Sequence, residues 1–141
     1  MTKRIAVLLL IIFCLSCHKN PKQVSNCRID SVCTALFATV GIHFTDKHGN
    51  AVSVKNLSAV NQRTQVSVLP AQASAGISQP GYYAVTDDSR IKLFSADGDD
   101  VLISATDSLT NQTKTTTFKI ASGDCGCHVT KLSGEDKVVF D

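Results

Sequence analysis

The stretch TALFATVGIHFT, residues Thr34–Thr45, decides the fold because apolar side chains alternate along it with small or polar ones. Successive side chains of a β-strand point to opposite faces, so a period of two predicts a strand that buries one face in a core. The predicted inward face consists of Leu36, Ala38, Val40, Ile42 and Phe44. No other segment of the chain shows so long an alternation.

Shorter alternating runs, separated by turn residues, follow this strand to the end of the chain. The turn segments include DKHGN (Asp46–Asn50), ADGDD (Ala96–Asp100) and the long loop PAQASAGISQPG (Pro70–Gly81). Further inward positions are expected at Val52, Val54, Val66, Val68, Val101, Ile103, Ala105, Phe118 and Ile120. Short strands are also expected at Tyr82–Val85, Ile91–Ser95, Cys127–Leu132 and Lys137–Asp141.

These runs amount to about seven or eight strands, and no stretch shows the period of an amphipathic helix. Strands with one apolar and one polar face are typical of antiparallel sheets that pack on a core. We therefore predict an all-β fold, an antiparallel β-sandwich over residues 33–141, with a closed barrel as the alternative. The composition agrees, because the chain has a single Glu while Val, Thr and Ser are frequent.

The first 16 residues have the organisation of a bacterial secretory signal. Lys3 and Arg4 precede the uncharged segment Ile5–Leu15, which is shorter than the roughly 20 residues that a membrane span needs. Cleavage after Ser16 removes these two cations and no acidic residue, which leaves a formally neutral chain. Such a chain has no basic surplus for nucleic acid, so nucleic-acid binding is not expected.

Residues Leu15-Ser16-Cys17 resemble a bacterial lipobox, in which a small residue precedes the cysteine that receives a diacylglycerol group. The resemblance implies lipidation of Cys17, a polar tether over residues 17–32 and attachment to a membrane of the cell envelope. His18 takes the position at which Asp retains many lipoproteins at the inner membrane. The resemblance therefore favours the outer membrane, on its periplasmic side. The alternative is an ordinary signal peptide and a soluble secreted protein.

The segment GIHFTDKHGNAV (Gly41–Val52) is similar to a strand-and-hairpin element of carboxypeptidase-regulatory-like and transthyretin-like domains. The runs Gly81–Ser89 and Asp124–Val129 are similar to segments of small, uncharacterised envelope lipoproteins. The first resemblance implies an Ig-like or transthyretin-like Greek-key sandwich that serves as an accessory or binding module, and the second implies no particular activity. We expect a non-catalytic module without a cofactor, whose partner is another envelope protein or a polymer. An exposed sheet edge that recruits an extended peptide is one route.

Four cysteines remain once Cys14 and Cys17 are set aside. They are Cys27, Cys33, Cys125 and Cys127. An even number in an oxidising compartment predicts two disulfides. Four cysteines allow three pairings: bridges between the early and the late pair join the two ends of the domain, whereas local bridges do not. We favour bridges between the two segments and leave the pairing open.

The same residues support a different hypothesis, in which CGCH (Cys125-Gly126-Cys127-His128) is a metal site or a reactive dithiol. Zinc takes thiolate and imidazole ligands, with Cys27 or Cys33 completing the set. However, the usual zinc spacing leaves two to four residues between cysteines, and no helix is predicted here whose N-terminus would lower a thiol pKa. Metal or thiol chemistry is therefore kept as the alternative to the binding module.

Asp97, Asp99 and Asp100 are candidate calcium ligands, because carboxylate oxygens gathered in a loop suit Ca²⁺. The segment departs from the EF-hand pattern, since no Glu closes the loop. Aspartate also favours turns through hydrogen bonds to nearby backbone, which predicts a turn role for this group and for Asp87 and Asp88. No metal site is therefore assigned. The sequence contains neither a nucleophile elbow nor a Gly-rich phosphate loop, so enzymatic activity is not expected.

Overall fold

The computed structural model describes residues 33–71 and 79–141. Its strands are β1 (Thr39–Asp46), β2 (Val54–Asn61), β3 (Val66–Ser67), β4 (Tyr82–Asp87), β5 (Asp99–Asp107), β6 (Thr113–Ala121), β7 (Thr130–Ser133) and β8 (Lys137–Phe140). A 3₁₀ helix (Asp88–Leu93) follows β4, and a single 3₁₀ turn (Asp124–Gly126) precedes β7. Cys17, Cys27, and the signal and tether predicted over residues 1–32 lie outside the described residues.

The strands form two sheets that pack face to face, which confirms the predicted all-β sandwich. The smaller sheet has the order β4-β1-β8, and the larger has the order β3-β2-β5-β6-β7. One pairing departs from the predicted antiparallel arrangement, because β8 pairs with β1 in parallel. Strands joined by a hairpin are antiparallel neighbours. Strands β7 and β8 do not form such a hairpin, because the chain passes from the larger sheet to the smaller one between them.

The alternating run of β1 packs into the core as predicted. Val40, Ile42 and Phe44 are buried, and the Phe44 ring contacts the rings of Tyr83 and Phe140 at centroid distances of 5.7 and 5.9 Å. The larger sheet contributes Ala59, Val68, Val101, Ile103, Ala105, Phe118 and Ile120 to the same core. Full burial of one large apolar side chain stabilises a fold by roughly 1.5–3 kcal/mol, so the contact between the sheets holds the domain together.

Two inward positions were predicted wrongly: Leu36 precedes the first paired residue of β1, and Val66 lies in an edge strand with a neighbour on one side only. Leu36 is 78 % exposed because pairing between β1 and β4 begins only at Thr39. Val66 is 44 % exposed because β3 is a two-residue strand at the edge of its sheet. Val68, two residues further on, is fully buried, so the same alternation runs from the surface into the core.

The strand predicted at Ile91–Ser95 is wrong, because the 3₁₀ helix occupies most of this segment. The Asp87 carboxylate caps the helix by accepting a hydrogen bond from the Ser89 backbone N–H at 2.9 Å and another from the Ser89 hydroxyl. The Asp–x–Ser sequence that begins at the last residue of β4 is thus a capping signal, and it outweighs the β-propensity of the apolar residues that follow. Phe94 then enters the core as the chain leaves the helix.

Strand β7 is shorter than predicted, since Cys127–Val129 precede it. Gly134 leads the chain from β7 towards β8 with a φ of +116°. An added Cβ there would lie 2.5 Å from Cδ1 of Phe118 and 2.8 Å from the carbonyl oxygen of Thr117. Glycine suits both the positive φ and the close approach of neighbouring atoms. It therefore allows the turn in which the chain passes from the larger sheet to the smaller one.

Candidate functional site: the N-terminal junction and the β1–β7 wedge

A disulfide fixes the start of the described domain to its late segment. Cys33 and Cys127 are bridged, with their Cα atoms 5.3 Å apart and 94 positions apart in sequence. The bridge therefore joins one early cysteine to one late cysteine, as the sequence favoured. Cys125, in the adjacent 3₁₀ turn, is also disulfide-bonded.

Asp88, the first residue of the 3₁₀ helix, gathers hydrogen bonds around this disulfide. One carboxylate oxygen accepts from the Ala38 N–H at 2.8 Å and from Nδ1 of His128 at 2.7 Å. The other oxygen accepts from the Val129 N–H at 2.8 Å. Burial acts to raise the pKa of Asp88, but the hydrogen bonds from Ala38, His128 and Val129 together hold that pKa below its ordinary value.

The imidazole of His128 extends this network to Thr34. Because the carboxylate of Asp88 accepts from Nδ1, the neutral ring presents Nε2 as an acceptor, and the Thr34 hydroxyl lies 2.8 Å from it. We call the set Cys33, Thr34, Ala38, Asp88, Cys127, His128 and Val129 the N-terminal junction. It ties the segment before β1, the helix after β4 and the segment before β7 to one carboxylate and one disulfide.

The calcium candidates do not share one environment. Asp99 is buried, whereas Asp97 and Asp100 are exposed, and the side chains of Asp99 and Asp100 point to opposite faces of β5. The carboxylate of Asp99 receives both Nε and Nη2 of Arg63, at 2.6 and 2.8 Å. It also accepts from Nδ2 of Asn61 at 3.0 Å, and from the N–H and hydroxyl of Ser95 at 2.9 and 3.0 Å.

These donors occupy the Asp99 oxygens that a cation would need. The Arg63 guanidinium, helped by the Ser95 and Asn61 donors, holds the pKa of Asp99 far below its usual range. Within residues 33–71 and 79–141, no three His, Cys, Asp or Glu side chains are placed to hold a metal ion. In the described structure, Asp99 therefore connects the loop after β2 to the start of β5.

Next to the N-terminal junction lies an open cleft of about 500 Å³ between β1 and β7. We call it the β1–β7 wedge; it is lined by Thr39, Gly41, His43, Tyr82, Thr130 and Lys131, among others. Nζ of Lys131 binds the Asp136 carboxylate and the Gly134 carbonyl oxygen. Nε2 of His43 donates to the Pro80 carbonyl oxygen at 3.1 Å. The side chains of Lys131, Asp136 and His43 are thus engaged by neighbouring groups.

The lining of the wedge depends on Gly41. An added Cβ at this position would lie 1.9 Å from the Tyr82 hydroxyl oxygen. The missing side chain therefore leaves room for the Tyr82 ring to pass over Gly41. The sequence resemblance placed Gly41 in a hairpin element but assigned it no such role.

Sequence reasoning found Cys33 and Cys127 but missed the partners of Asp88. Its carboxylate binds residues from two segments 40 to 50 positions away, and no spacing rule connects them. The neighbouring pair Asp87 and Asp88 was predicted to serve a turn, which holds for the Asp87 cap. The predicted positions of Cys17 and Cys27 lie outside the described residues.

No family model, curated protein or solved structure matches this chain. None of the helices within the described ranges is both long and apolar enough to cross a membrane.

Proposed function

We propose that this protein is a lipid-anchored protein of the bacterial cell envelope whose β-sandwich acts as a non-catalytic binding or structural module. Cys17 carries the anchor, residues 17–32 form the tether, and residues 33–141 form the domain. The proposed location is the outer membrane on its periplasmic side. The proposed partner is another envelope protein or a polymer.

The observation that carries this proposal is the Cys33–Cys127 disulfide at the start of the domain. Disulfides form and persist in secreted and envelope compartments, whereas the cytosol keeps thiols reduced. A bridge therefore agrees with the export that the N-terminal signal implies.

The position of the bridge also suits a tethered domain. A pull on the tether that reaches residue 33 is passed by the disulfide to residue 127 and does not separate β1 from its sheet. The hydrogen bonds of Asp88 to Ala38 and Val129 hold the same two segments a few residues further in. The N-terminal junction therefore supports a mechanical role for the end of the domain that faces the anchor.

The anchor is tested by the mass of the mature N-terminus and by membrane fractionation of a Cys17→Ser variant. We expect a diacylglycerol-modified Cys17 in the native protein and loss of membrane association in the variant. An unmodified amine at the mature N-terminus contradicts the proposal. Cys14→Ser is the matched control, because Cys14 is discarded with the signal and its loss leaves the anchor in place.

The metal or thiol alternative, centred on Cys125–His128, is separated by labelling thiols without prior reduction. The proposed module contains no reactive thiol in its oxidised domain and exchanges no disulfide with glutathione. Rapid labelling of Cys125 or Cys127, or stoichiometric zinc in the purified protein, supports the alternative instead.

One observation favours a second candidate function, acyl transfer. The hydroxyl of Thr34, the imidazole of His128 and the carboxylate of Asp88 follow one another at 2.8 and 2.7 Å, the order found in nucleophile relays. The binding module is preferred because Asp88 also binds two backbone N–H groups that hold the fold. A fluorophosphonate adduct on Thr34 that is lost in His128→Ala supports acyl transfer, and absence of any adduct removes it.

A further inference from the structure

Strand β1 has a partner on only one side along its first half. Strand β4 pairs with Thr39–His43, whereas β8 begins to pair with β1 only at His43 and continues to Asp46. Among the described strands, none accompanies Thr39–Ile42 on the β8 side. At about 3.3 Å per residue this edge is roughly 13 Å long.

The change of sheet at Gly134 explains the open edge. Strand β7 pairs with Lys119–Ala121 of β6 in the larger sheet, and after the turn β8 pairs with β1 in the smaller one. The two strands therefore diverge from β1 towards the N-terminal junction, and the β1–β7 wedge of about 500 Å³ lies between them. No described strand lies on the other side of β7 either, so two strand edges border one cleft.

A ligand in the wedge would find main-chain hydrogen-bonding groups and few unpaired charged side chains. Lys131 is neutralised by Asp136, and His43 is bound to the Pro80 carbonyl. Thr39 and Thr130 present short polar side chains, and Gly41 has none. An occupant gains little from carrying charge here, whereas an extended backbone can satisfy the strand edges with regular hydrogen bonds.

We propose that the β1–β7 wedge binds an extended, uncharged segment of about four residues from a partner protein, added as a strand beside Thr39–Ile42. The bound segment pairs with the same edge of β1 that β8 pairs with further along the strand. Two consecutive valines of β8, Val138 and Val139, already pair with this edge. Threonine and valine suit such a strand because branched side chains favour the pleated conformation. This inference rests on the proposed function as a binding module, and it names the class of partner.

The probe is the peptide acetyl-KTVTVTK-amide, added to the full chain carrying Cys17→Ser so that the anchor takes no part in the measurement. Amide NMR shifts and hydrogen exchange report the site. We expect shifts confined to the first half of β1 and to β7, with amide exchange in Thr39–Ile42 slowed at least tenfold. The same peptide with N-methylated valines is the control, since it keeps the side chains and loses alternate backbone donors.

Two variants fill the wedge from exposed positions, Thr130→Trp and Thr39→Trp, and a third, Leu109→Trp, places the same side chain in the distant β5–β6 turn. Circular dichroism first establishes that each variant is folded. The test needs only one of the two wedge variants to be folded. We expect the wedge variants to weaken peptide binding at least tenfold and Leu109→Trp to leave it unchanged.

Absence of shifts at about 1 mM peptide, the weak end of measurable affinity, overturns the inference. Equal binding of the N-methylated peptide, or shifts elsewhere on the domain, overturns it as well. Each of these results leaves the lipid anchor untouched, because Cys17 is absent from the experiment. Conversely, an unmodified N-terminus in the native protein leaves a positive titration standing.

Discussion

Two aspartates at opposite ends of the sandwich use the same chemistry over different distances. Asp107 ends β5 and accepts hydrogen bonds from the Leu109 N–H at 2.8 Å and the Thr110 hydroxyl at 2.7 Å. Asp88 accepts from Ala38, His128 and Val129, which lie 50, 40 and 41 positions away in sequence. Hydrogen bonds hold the pKa of both carboxyl groups below its ordinary value.

The difference separates a local turn from a long-range connection. The bonds of Asp107 close a turn of a few residues, so part of this arrangement is accessible to the unfolded chain. The bonds of Asp88 exist only when three distant segments have come together, so their whole contribution belongs to the folded state. Changes at the N-terminal junction are therefore expected to destabilise the domain more than equivalent changes at the β5–β6 turn.

The largest effect is expected from breaking the covalent part of the junction with Cys33→Ser. A lone bridge across 94 positions would stabilise the fold by about 4 to 5 kcal/mol in the chain-entropy model; because Cys125 is also disulfide-bonded and its predicted bridge to Cys27 closes nearly the same loop, we expect a loss of about 3 kcal/mol. Urea unfolding of the variant, compared with Leu109→Ala at the 90 % exposed Leu109, measures the loss. A loss below about 1 kcal/mol would show that the junction is held without its disulfide.

Peptide mapping under non-reducing conditions sharpens the same point. Because Cys125 and Cys127 stay on one peptide, partial reduction with stepwise alkylation distinguishes their bridges, and one linked pair is expected to contain Cys33 and Cys127. From the favoured pairing of early with late cysteines, the second linked pair is predicted to contain Cys27 and Cys125. A peptide linking Cys27 to Cys33 would contradict both.

The next largest loss of stability is expected from Asp99→Asn, which removes the carboxylate that forms an ion pair with Arg63. The side chain of Asp99 is 3 % exposed and that of Arg63 is 54 % exposed, so the pair is only partly withdrawn from water. Losing one partner of a fully buried pair costs about 3–5 kcal/mol; we expect about 2–3 kcal/mol here because Arg63 regains solvent. Arg63→Gln is the matched variant, and it is expected to cost at least as much because it leaves the buried Asp99 carboxylate without its cation; an unchanged stability in either variant would contradict the assignment.

The sequence predicted the core well within the longer paired strands. Val40, Ile42 and Phe44 follow a period of two and are buried, as are Val101, Ile103 and Ala105. Leu36 continues the same period but lies before the first residue paired with β4. Alternation reports which face a residue takes within a strand, and it carries no information about where the partner strand ends.

The candidate site was less accessible to sequence reasoning for a related reason. Cysteine parity pointed to bridges because disulfides have a strong compositional signature. Asp88 has no such signature, since an Asp after a strand fits an ordinary turn as well as a long-range acceptor. The wedge exists because the chain changes sheet at Gly134 and β8 then pairs with β1 in parallel. A single glycine in a turn does not predict this strand order.

A smaller effect is expected from Asp88→Asn, which keeps the shape of the side chain and weakens three hydrogen bonds. The side chain is 12 % exposed, and loss of charge-assisted bonds of this kind costs about 1–3 kcal/mol. The folded-state pKa is depressed, so this stability is present above the unfolded pKa of about 3.9 and is lost as pH falls through the folded pKa. Urea unfolding should show a gap between native protein and variant at pH 7 that narrows towards pH 3, and a gap that widens on acidification would contradict the assignment.

The smallest effect is expected from Asp107→Asn. The Asn side chain retains an oxygen that can accept from Leu109 and Thr110, and these partners stay close whether or not the chain is folded. The depressed pKa of Asp107, due first to the Thr110 hydroxyl and then to the Leu109 N–H, gives the same sign of pH dependence as Asp88. Its amplitude should be smaller because part of the turn persists in the unfolded chain. Both variants should be measured in one set of urea titrations. If Asp107→Asn loses as much stability as Asp88→Asn, the sequence distance between hydrogen-bond partners does not govern their contribution to stability. The N-terminal junction would then stabilise the domain no more than a local turn does.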